Sequence, residues 1–416
     1  MKTAGVIAEF DPFHNGHAYF LRRVRELTSA DFIIAVMSGD FTQRGKPALM
    51  GKRTRAKAAM LNGADAVVEL PVQYATSSAE LFASGAVSLL NALGCVDHLC
   101  FGTEADDMEA LRAAADIMSE ETEAFKEKLD ENLRQGMSYP LARLQALKDT
   151  GASKDAADML CLPNNILAVE YLKALKRLVS GMQPVNVKRE AVDHDDTNTY
   201  GIYSSAKNIR ATLKLTGSPE SVEMYLPENT LPLLREHFRV DLPVYDDDLS
   251  LLIKYRLAME TEASLMRYAD MSREMARRII NHRNDISVLS KFTELVKTKN
   301  LTYTRISRAL LHVLLGITKE DMKQYRAAGV TGYARLLGFK KESSALIDRM
   351  NETASVPVIS RLSDCKRLLS PPFDRMLKDT IRASDIYNYI IKDIYDTDIP
   401  SDVKHMADSA DGMVVL

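Results

Sequence analysis

The sequence predicts an α/β fold, a Rossmann-like doubly wound parallel sheet followed by a mainly α-helical domain. Residues 31–37 and 66–70 are short apolar runs without alternation, as in parallel strands that are covered on both faces. Such runs alternate with helical patterns joined by short loops, which is the order of a parallel α/β sheet. Beyond about residue 216 the strand signals fade, and the remaining periodicity is helical.

The predicted elements follow from hydrophobic periodicity and from capping and turn residues. Strands are expected from residue 5 and near residues 31–37, 66–70, 97–101 and 186–189, with helices near 16–28, 52–62, 78–93 and 162–175. A charged helical stretch at about 108–160 is interpreted as an insertion. In the second half, helices are expected near 248–260, 272–282, 303–315 and 377–395, and a loose tail from about residue 401.

Length and composition limit the class of protein. A chain of 416 residues is too long for one ordinary core, so two domains are expected, residues 1–216 and 217–416. No apolar run approaches the roughly 20 residues that cross a membrane, and the start leads directly into a strand rather than a signal peptide. A cytoplasmic protein is therefore expected. The four cysteines lack zinc-like spacing, so no protein-bound metal is expected, and the oligomeric state is not indicated.

The first candidate site is His14-Asn-Gly-His17, which follows the first strand and opens the first helix. A helix N-terminus attracts phosphate through its unpaired N–H groups and its dipole. The two histidines are one turn apart and can point to the same side. There they could donate hydrogen bonds to an α-phosphate that gains charge as pyrophosphate leaves. Alternatively, His14 only caps the helix and His17 is a solvated residue of its first turn.

The second candidate site is Ser204-Ser-Ala-Lys-Asn-Ile-Arg210 at the close of the same predicted sheet. Two hydroxyls at the start of a helix and a guanidinium near the end of its second turn can converge on one oxyanion. The simpler interpretation is a serine N-cap. Arg44 and Lys46, in the polar loop after the second strand, are further candidates for neutralising a departing pyrophosphate, or else ordinary loop charges.

The second half contains a locally basic stretch. Between residues 251 and 310 there are twelve Lys and Arg against six Asp and Glu, although the whole chain has a net charge of −3. A surface of this charge can follow a phosphate backbone, or can simply be a solvated helical face. The residues proposed to bind RNA are Arg273, Arg277, Arg278, Arg283, Arg305 and Arg308.

Several blocks together resemble a known family. His-x-Gly-His after a strand is similar to the signature of the HIGH superfamily of nucleotidyltransferases and class I aminoacyl-tRNA synthetases. The segments at residues 9–17, 37–48, 63–71, 101–104, 163–167 and 204–210 resemble, in order, those of the bacterial tRNA(Met) cytidine acetate ligase family. The resemblance covers the first half; the second half is similar mainly in length and helical character.

The resemblance implies a HIGH-type nucleotidyltransferase fold and an ATP-dependent ligase. Such an enzyme joins acetate to ATP as acetyl-adenylate and acetylates the wobble cytidine of elongator tRNA(Met) to N4-acetylcytidine, with Mg²⁺ accompanying ATP. The residues implied to hold ATP are Ile7, Ala8, Glu9, Phe10, Asp11, Pro12, Phe13, His14, Asn15, Gly16, His17, Ala18, Tyr19 and Phe20, with Gly102, Asn164 and Arg189. The catalytic residues are expected to be His14, His17, Ser204 and Arg210.

The sequence departs from the family pattern in three places. Asp11 stands where Asn is usual, Phe20 where His is common, and residues 205–207 differ from the usual small-residue and Thr pattern. A carboxylate at position 11 near phosphates would repel them unless a cation lies beside it.

Two other functions remain open from the residues alone. One is a nucleotidyltransferase that makes a dinucleotide-type cofactor, although such enzymes rarely need a large, locally basic helical domain. The other is a non-catalytic RNA-binding protein with a vestigial nucleotide fold, for which tRNA would bind but ATP would not stabilise the protein.

Overall fold

We describe the chain from a computed structural model, for residues 1–104, 106–119, 123–135, 137, 139–150, 162–189, 201–362, 365–402 and 413–416. In these residues the main sheet has eight strands, which are β1 Thr3–Ala8, β2 Phe32–Ser38, β5 Ala66–Leu70, β6 His98–Thr103, β7 Gln183–Lys188, β8 Ala334–Phe339, β9 Val358–Ile359 and β10 Val414–Val415. They lie in the order β10-β8-β5-β2-β1-β6-β7, with β9 also pairing with β8. A small hairpin is formed by β3 Phe41–Thr42 and β4 Lys46–Pro47.

The helices of the first half lie between these strands, as the sequence predicts. They are α1 Asn15–Thr28, α2 Lys52–Leu61, α3 Val72–Ala75, α4 Ala79–Ala92, α5 Met108–Ser119, α6 Glu123–Arg134, α7 Tyr139–Asp149, α8 Pro163–Leu178 and α9 Ala206–Thr216. The last part of the predicted insertion, residues 151–160, lies outside the described residues. Strands β2, β1, β6 and β7 pair in parallel with β1 near the centre, so their carboxyl ends meet at one edge.

The second half is mainly helical, which confirms the predicted fold class. Its α-helices are α10 Leu231–His237, α11 Ser250–Ala258, α12 Glu262–Leu265, α13 Arg273–His282, α14 Leu289–Val296, α15 Tyr303–Leu315, α16 Lys319–Ala327, α17 Ser344–Thr353, α18 Cys365–Leu368 and α19 Phe373–Tyr395. Short 3₁₀ helices cover Pro219–Tyr225, Asp246–Leu249, Arg283–Asp285 and Lys341–Ser343. Among the described residues no helix is long and apolar enough to span a membrane.

The second half also supplies three strands that the sequence analysis did not expect. Strand β8 pairs antiparallel with β5 of the first half, and β9 and β10 pair in parallel with β8. Hydrophobic residues from both halves form one core, which includes Val68 and Leu89 together with Leu310 and Tyr387. The two halves are therefore packed as one body, and a boundary at residue 216 stays a prediction.

The expectation of a loose tail from residue 401 was wrong for Asp402 and for β10. The Asp402 carboxylate accepts a hydrogen bond from Lys52 Nζ at 2.7 Å and lies 2.9 Å from Arg335 Nη2. The same two cations contact Glu69 on β5, at 2.8 and 2.7 Å. Burial alone would raise the pKa of Asp402, but Arg335 and Lys52 hold it well below its usual range. Because each buried charge has a partner of opposite sign, these ion pairs hold Asp402 against the sheet.

Candidate functional site

A cavity of about 640 Å³ opens at the carboxyl ends of the central strands. This is the edge at which open α/β sheets bind ligands. Its lining brings together the first and second candidate sites, including His14, His17, Ser204 and Arg210, although the chain separates them by almost 190 residues.

The two histidines of the first candidate site are stacked at the start of α1. Their ring centroids are 3.7 Å apart and the planes differ by 25°. His14 is the N-cap: its Nδ1 accepts the Gly16 N–H at 3.1 Å, while His17 Nδ1 accepts the His14 N–H at 3.2 Å. Because each Nδ1 is an acceptor, the proton of each neutral ring resides on Nε2. Both the capping role and the predicted shared side are therefore observed, and the capping bonds orient the two rings.

Neighbouring groups hold this helix start in place. Phe10 and Phe13 pack on the His17 ring, with centroids at 5.0 and 5.4 Å. Asn15 Nδ2 donates to the carbonyl oxygens of Ile202 and Met224, at 2.9 and 3.0 Å. The chain just before the second candidate site is thereby joined to the first.

Asp11 has the cation that its charge requires. Arg210 Nη1 donates to Asp11 Oδ2 at 2.5 Å, and Asp11 Oδ1 accepts the Leu49 N–H at 2.6 Å. Burial would lower the pKa of Arg210, but Asp11 and Asp246 raise it above its usual value. Arg210 therefore remains a cation in the cavity wall. It lies on α9, next to the segment that precedes α1.

Ser204 and Ser205 have different roles. Ser205 is the N-cap of α9, since its Oγ accepts the Asn208 N–H at 3.1 Å. Ser204 Oγ accepts from the Asn208 side chain at 2.9 Å and lines the cavity. The simpler interpretation of a serine cap holds for Ser205, and both serines line the cavity.

Gly102, Asn164 and Arg189 also line the cavity. Gly102 lies near the end of β6, Asn164 at the start of α8, and Arg189 directly after β7. A Cβ at Gly102 would lie 3.4 Å from Arg189 Cγ, so Gly102 lies directly against the Arg189 side chain. Asn164 Nδ2 donates to Glu104, whose other carboxylate oxygen accepts the Asn165 N–H at 3.1 Å. Burial lowers the pKa of Arg189, and Glu104 opposes this.

Part of the cavity is apolar. Phe82, Phe101, Ile166, Leu167 and Tyr171 line it, and the rings of Phe101 and Tyr171 have centroids 5.7 Å apart. Glu9 is also part of the lining; its Oε1 accepts the Gln43 N–H at 2.6 Å. Burial raises the pKa of Glu9.

The cations proposed for RNA are not brought into the cavity, and they differ among themselves. Arg273 and Arg277 are exposed on α13. Arg278 donates to the Val296 carbonyl at 2.9 Å and Arg283 to the Glu260 carbonyl at 3.0 Å. Arg308 donates to Asp270 at 2.7 Å with only 11% of its side chain exposed, and Arg305 is half-buried.

Several lining residues were missed from sequence. They are the apolar wall, Tyr203, Lys188, Lys207, Lys214 and Asp246. Asp246 belongs to an Asp-rich stretch, residues 246–248, which leads into the predicted helix near 248–260. It forms an ion pair with Lys46, one of the two loop cations considered above.

The cavity combines hydrogen-bond donors and cations with an apolar wall. Two imidazoles, a helix N-terminus, Arg210 and Lys46 suit a polyanion, while the aromatic wall suits a planar or small apolar group. In the described part of the chain, no three His, Cys, Asp or Glu side chains are grouped so as to hold a metal ion.

Comparison with known proteins agrees with this chemistry. The sequence pattern of the HIGH nucleotidyl transferase family matches residues 1–401. The chain is 37% identical over 392 residues to the tRNA(Met) cytidine acetate ligase of Acetivibrio thermocellus, covering 93% of this chain and 94% of that protein. It is 38% identical over 404 residues to the protein of that name from Clostridium kluyveri, covering 95% and 96%.

Solved structures show the same similarity. Thermotoga maritima TmcAL bound with alpha-thio ATP is 31% identical, with a TM-score of 0.87 over 94% of this chain and 95% of that one. Its apo form is 30% identical, with a TM-score of 0.90 over 100% and 99%.

Proposed function

The chain belongs to the HIGH nucleotidyl transferase family and, within it, to the tRNA(Met) cytidine acetate ligases, and from this membership we propose how its cavity works. The enzyme is an ATP-dependent ligase that acetylates the wobble cytidine of elongator tRNA(Met) to N4-acetylcytidine. The observation that carries the assignment of the site is the meeting of His14, His17, Ser204 and Arg210 in one cavity.

The reaction has two steps. An acetate oxygen bonds to the α-phosphorus of ATP while the bond from that phosphorus to the bridging oxygen of pyrophosphate breaks, giving acetyl-adenylate. The exocyclic amine of cytidine then attacks the acyl carbon, the bond to the AMP oxygen breaks, and the amine loses a proton. The second step needs chiefly a positioned amine and a site that keeps out water.

His14 and His17 stabilise the charge that develops on the α-phosphate. Their Nδ1 atoms are used in the cap, so Nε2–H is the group that each neutral ring offers. Stacking and capping fix both rings before ATP binds, and donors fixed in advance lower the reorganisation energy of the step. Neither ring acts as a nucleophile.

Arg210, Ser204, Lys46 and Arg44 neutralise the departing pyrophosphate. All four line the cavity with the two histidines. The segment from Ile7 to Phe20, with Gly102, Asn164 and Arg189, holds the rest of ATP. Support comes from the cavity lining, which includes Gly102, Asn164 and Arg189 and much of the Ile7–Phe20 segment.

Mg²⁺ is proposed to enter with ATP, bound by phosphate oxygens. The two carboxylates nearest the cations, Asp11 and Asp246, are already paired with Arg210 and Lys46. These residues do not form a ready protein site for a divalent cation, so no step is assigned to one.

The helical half is proposed to bind tRNA, and the cytoplasm is the proposed location because tRNA is the substrate. Arg273 and Arg277 are the best placed of the six arginines, since both are exposed and lie one turn apart on α13. Acetate is the proposed acid, and the apolar wall is the part of the cavity that suits its methyl group.

Acetate-dependent exchange of labelled pyrophosphate into ATP tests the first step. We expect exchange only when acetate is present, and absence of exchange with and without tRNA contradicts adenylate formation. Mass analysis of tRNA(Met) nucleosides after incubation with enzyme, ATP and acetate tests the second step. A new N4-acetylcytidine peak is expected, and its absence contradicts the second step.

A further inference from the structure

The part of the cavity wall that contains Lys46 and Arg210 is completed by a carboxylate from the helical half. Asp246 forms an ion pair with Lys46 Nζ, and its other oxygen lies 3.8 Å from Arg210 Nη2. Both cations belong to the first half, on β4 and α9. The Asp246 side chain is 19% exposed, so solvent screens these contacts only in part.

The segment that carries Asp246 is held from several directions. The Val244 N–H donates to the Leu49 carbonyl at 3.0 Å, and the Tyr395 hydroxyl donates to the Pro243 carbonyl at 2.8 Å. Asp248 Oδ2 accepts the Tyr245 N–H at 2.7 Å and so caps the short helix Asp246–Leu249. The carboxylate of Asp246 is therefore presented from a braced backbone rather than from a free loop.

The Lys46 hairpin also lies against the helical half. Gly45, with φ of +73°, approaches α15 so closely that a Cβ would lie 2.4 Å from the backbone nitrogen of Arg308. Lys46 Nζ is 5.5 Å from the centroid of the Tyr303 ring, on the same helix. Asp246, Tyr303 and α15 together determine where the ammonium group lies.

We propose that Asp246 is a positioning residue, which holds Lys46 and Arg210 in the arrangement that receives the β- and γ-phosphates of ATP. This rests on the proposed ligase function. A long lysine side chain loses considerable rotamer freedom when it binds a ligand, and an ion pair formed beforehand removes part of that cost. The helical half thus takes part in the ATP site as well as in RNA binding.

Removing the charge of Asp246 has two physical effects on the affinity for ATP, and they have opposite signs. A measured affinity therefore distinguishes them. A carboxylate near phosphates repels them, so loss of its charge would by Coulomb's law alone tighten binding of ATP. Loss of positioning weakens binding instead. Our proposal requires the second effect to exceed the first.

The experiment compares Asp246→Asn with Asp248→Asn, a neighbour on the same short helix whose capping oxygen is kept by Asn. Calorimetric titration with pyrophosphate and with ATP is expected to show about tenfold weaker binding for Asp246→Asn and no change for Asp248→Asn. In the exchange reaction the KM for pyrophosphate should rise while the KM for acetate stays unchanged. Unchanged or tighter binding of pyrophosphate overturns the proposal.

A double-mutant cycle tests whether the effect passes through Lys46. Asp246→Asn in a Lys46→Met background should change pyrophosphate affinity by less than about twofold if positioning of Lys46 is the main role. The full tenfold loss in that background contradicts this. If Asp246→Asn does not fold, Asp246→Glu decides: it keeps the charge but moves it, and wild-type pyrophosphate affinity would overturn the proposal.

The titrations also separate this inference from the proposed function. Wild-type enzyme that binds ATP and pyrophosphate but shows no acetate-dependent exchange contradicts the ligase reaction, while the effect of Asp246 on pyrophosphate affinity is still read by calorimetry.

Discussion

Asp11 and Arg210 are 199 positions apart in the chain and form an ion pair of 2.5 Å in the wall of the cavity. Both side chains are largely buried, with 10% and 15% of their areas exposed. The pair joins the segment before α1 to helix α9. It therefore holds the two candidate sites together in the folded chain.

Asparagine should replace Asp11 at little cost to activity. Its side-chain oxygen can still accept the Leu49 N–H. Because asparagine is neutral, it does not compete with pyrophosphate for Arg210. We expect Asp11→Asn to retain exchange activity within about threefold. Asp11→Ala removes every side-chain acceptor, for the Leu49 N–H as well as for Arg210, whereas asparagine keeps one, so alanine should lower the free energy of unfolding by about 3 kcal/mol and by more than asparagine does. Urea denaturation and exchange assays measure the two effects, and equal losses in both variants would contradict this.

His17→Ala should reduce catalysis far more than stability. It removes one Nε2–H donor and the acceptor for the His14 N–H. The exchange rate is expected to fall about 10²- to 10³-fold, while unfolding changes by about 1 kcal/mol. His17→Asn is the matched control, since its oxygen can accept the His14 N–H while its shorter amide does not place a donor where the imidazole Nε2 lies. Recovery of the rate in His17→Asn would show that capping is the whole role of the residue.

Glu9→Gln should alter the pH dependence of stability. Burial raises the folded pKa of Glu9 above its usual 4.5, so the wild type loses stability as pH rises from that value through the folded pKa. Glutamine retains an acceptor for the Gln43 N–H and has no proton to lose. We expect the variant to be more stable than the wild type near pH 8, with the gap closing towards about pH 4. Thermal denaturation across this range checks the sign, and a gap that widens at low pH refutes it.

Gly45→Ala should disturb both folding and phosphate binding. The added Cβ meets the backbone of α15, and the positive φ of this residue disfavours a side chain. A loss of about 2 kcal/mol is expected, together with a higher KM for pyrophosphate because Lys46 follows directly. Gly51→Ala is the control, since no atom lies within 4 Å of its Cβ. Similar stability and similar KM values in the two variants would mean that the β3–β4 hairpin can move away from α15 at little cost.

Arg273 and Arg277 should contribute to tRNA affinity through charge. In a plot of log affinity against log salt concentration, each replacement by Gln is expected to reduce the magnitude of the slope by about one. Arg308→Gln should instead lower the melting temperature, because Arg308 is paired with Asp270. Filter binding at several salt concentrations distinguishes these outcomes, and an unchanged slope in the first two variants removes α13 from the RNA surface.

Local sequence was sufficient for the start of α1 and for most of the elements. His14 and His17 are three residues apart, so helix geometry alone predicts that their rings share a side. Helix α15 was predicted with the observed ends, because Thr302 caps it and Gly316 ends it in a left-handed conformation. Such features depend on neighbours within one or two turns.

Features that depend on distant partners could not be predicted in this way. Strand β8 is six residues long and pairs with β5, so Arg335 contacts Glu69 from 266 positions away. Its apolar pattern alone is equally suitable for a helical segment. Asp246 and Asp402 lie in polar stretches that resemble loops and tails, and their partners become neighbours only in the folded chain. The residue-level roles in the site remain predictions for the experiments above.

The pairing of β8 with β5 has a consequence for biosynthesis. Until residues 334–339 leave the ribosome, one edge of β5 lacks the hydrogen-bonding partner that it has in the finished protein. Open strand edges recruit other chains, so a truncated product that ends near residue 216 is expected to aggregate rather than to accumulate as a free nucleotide-binding unit.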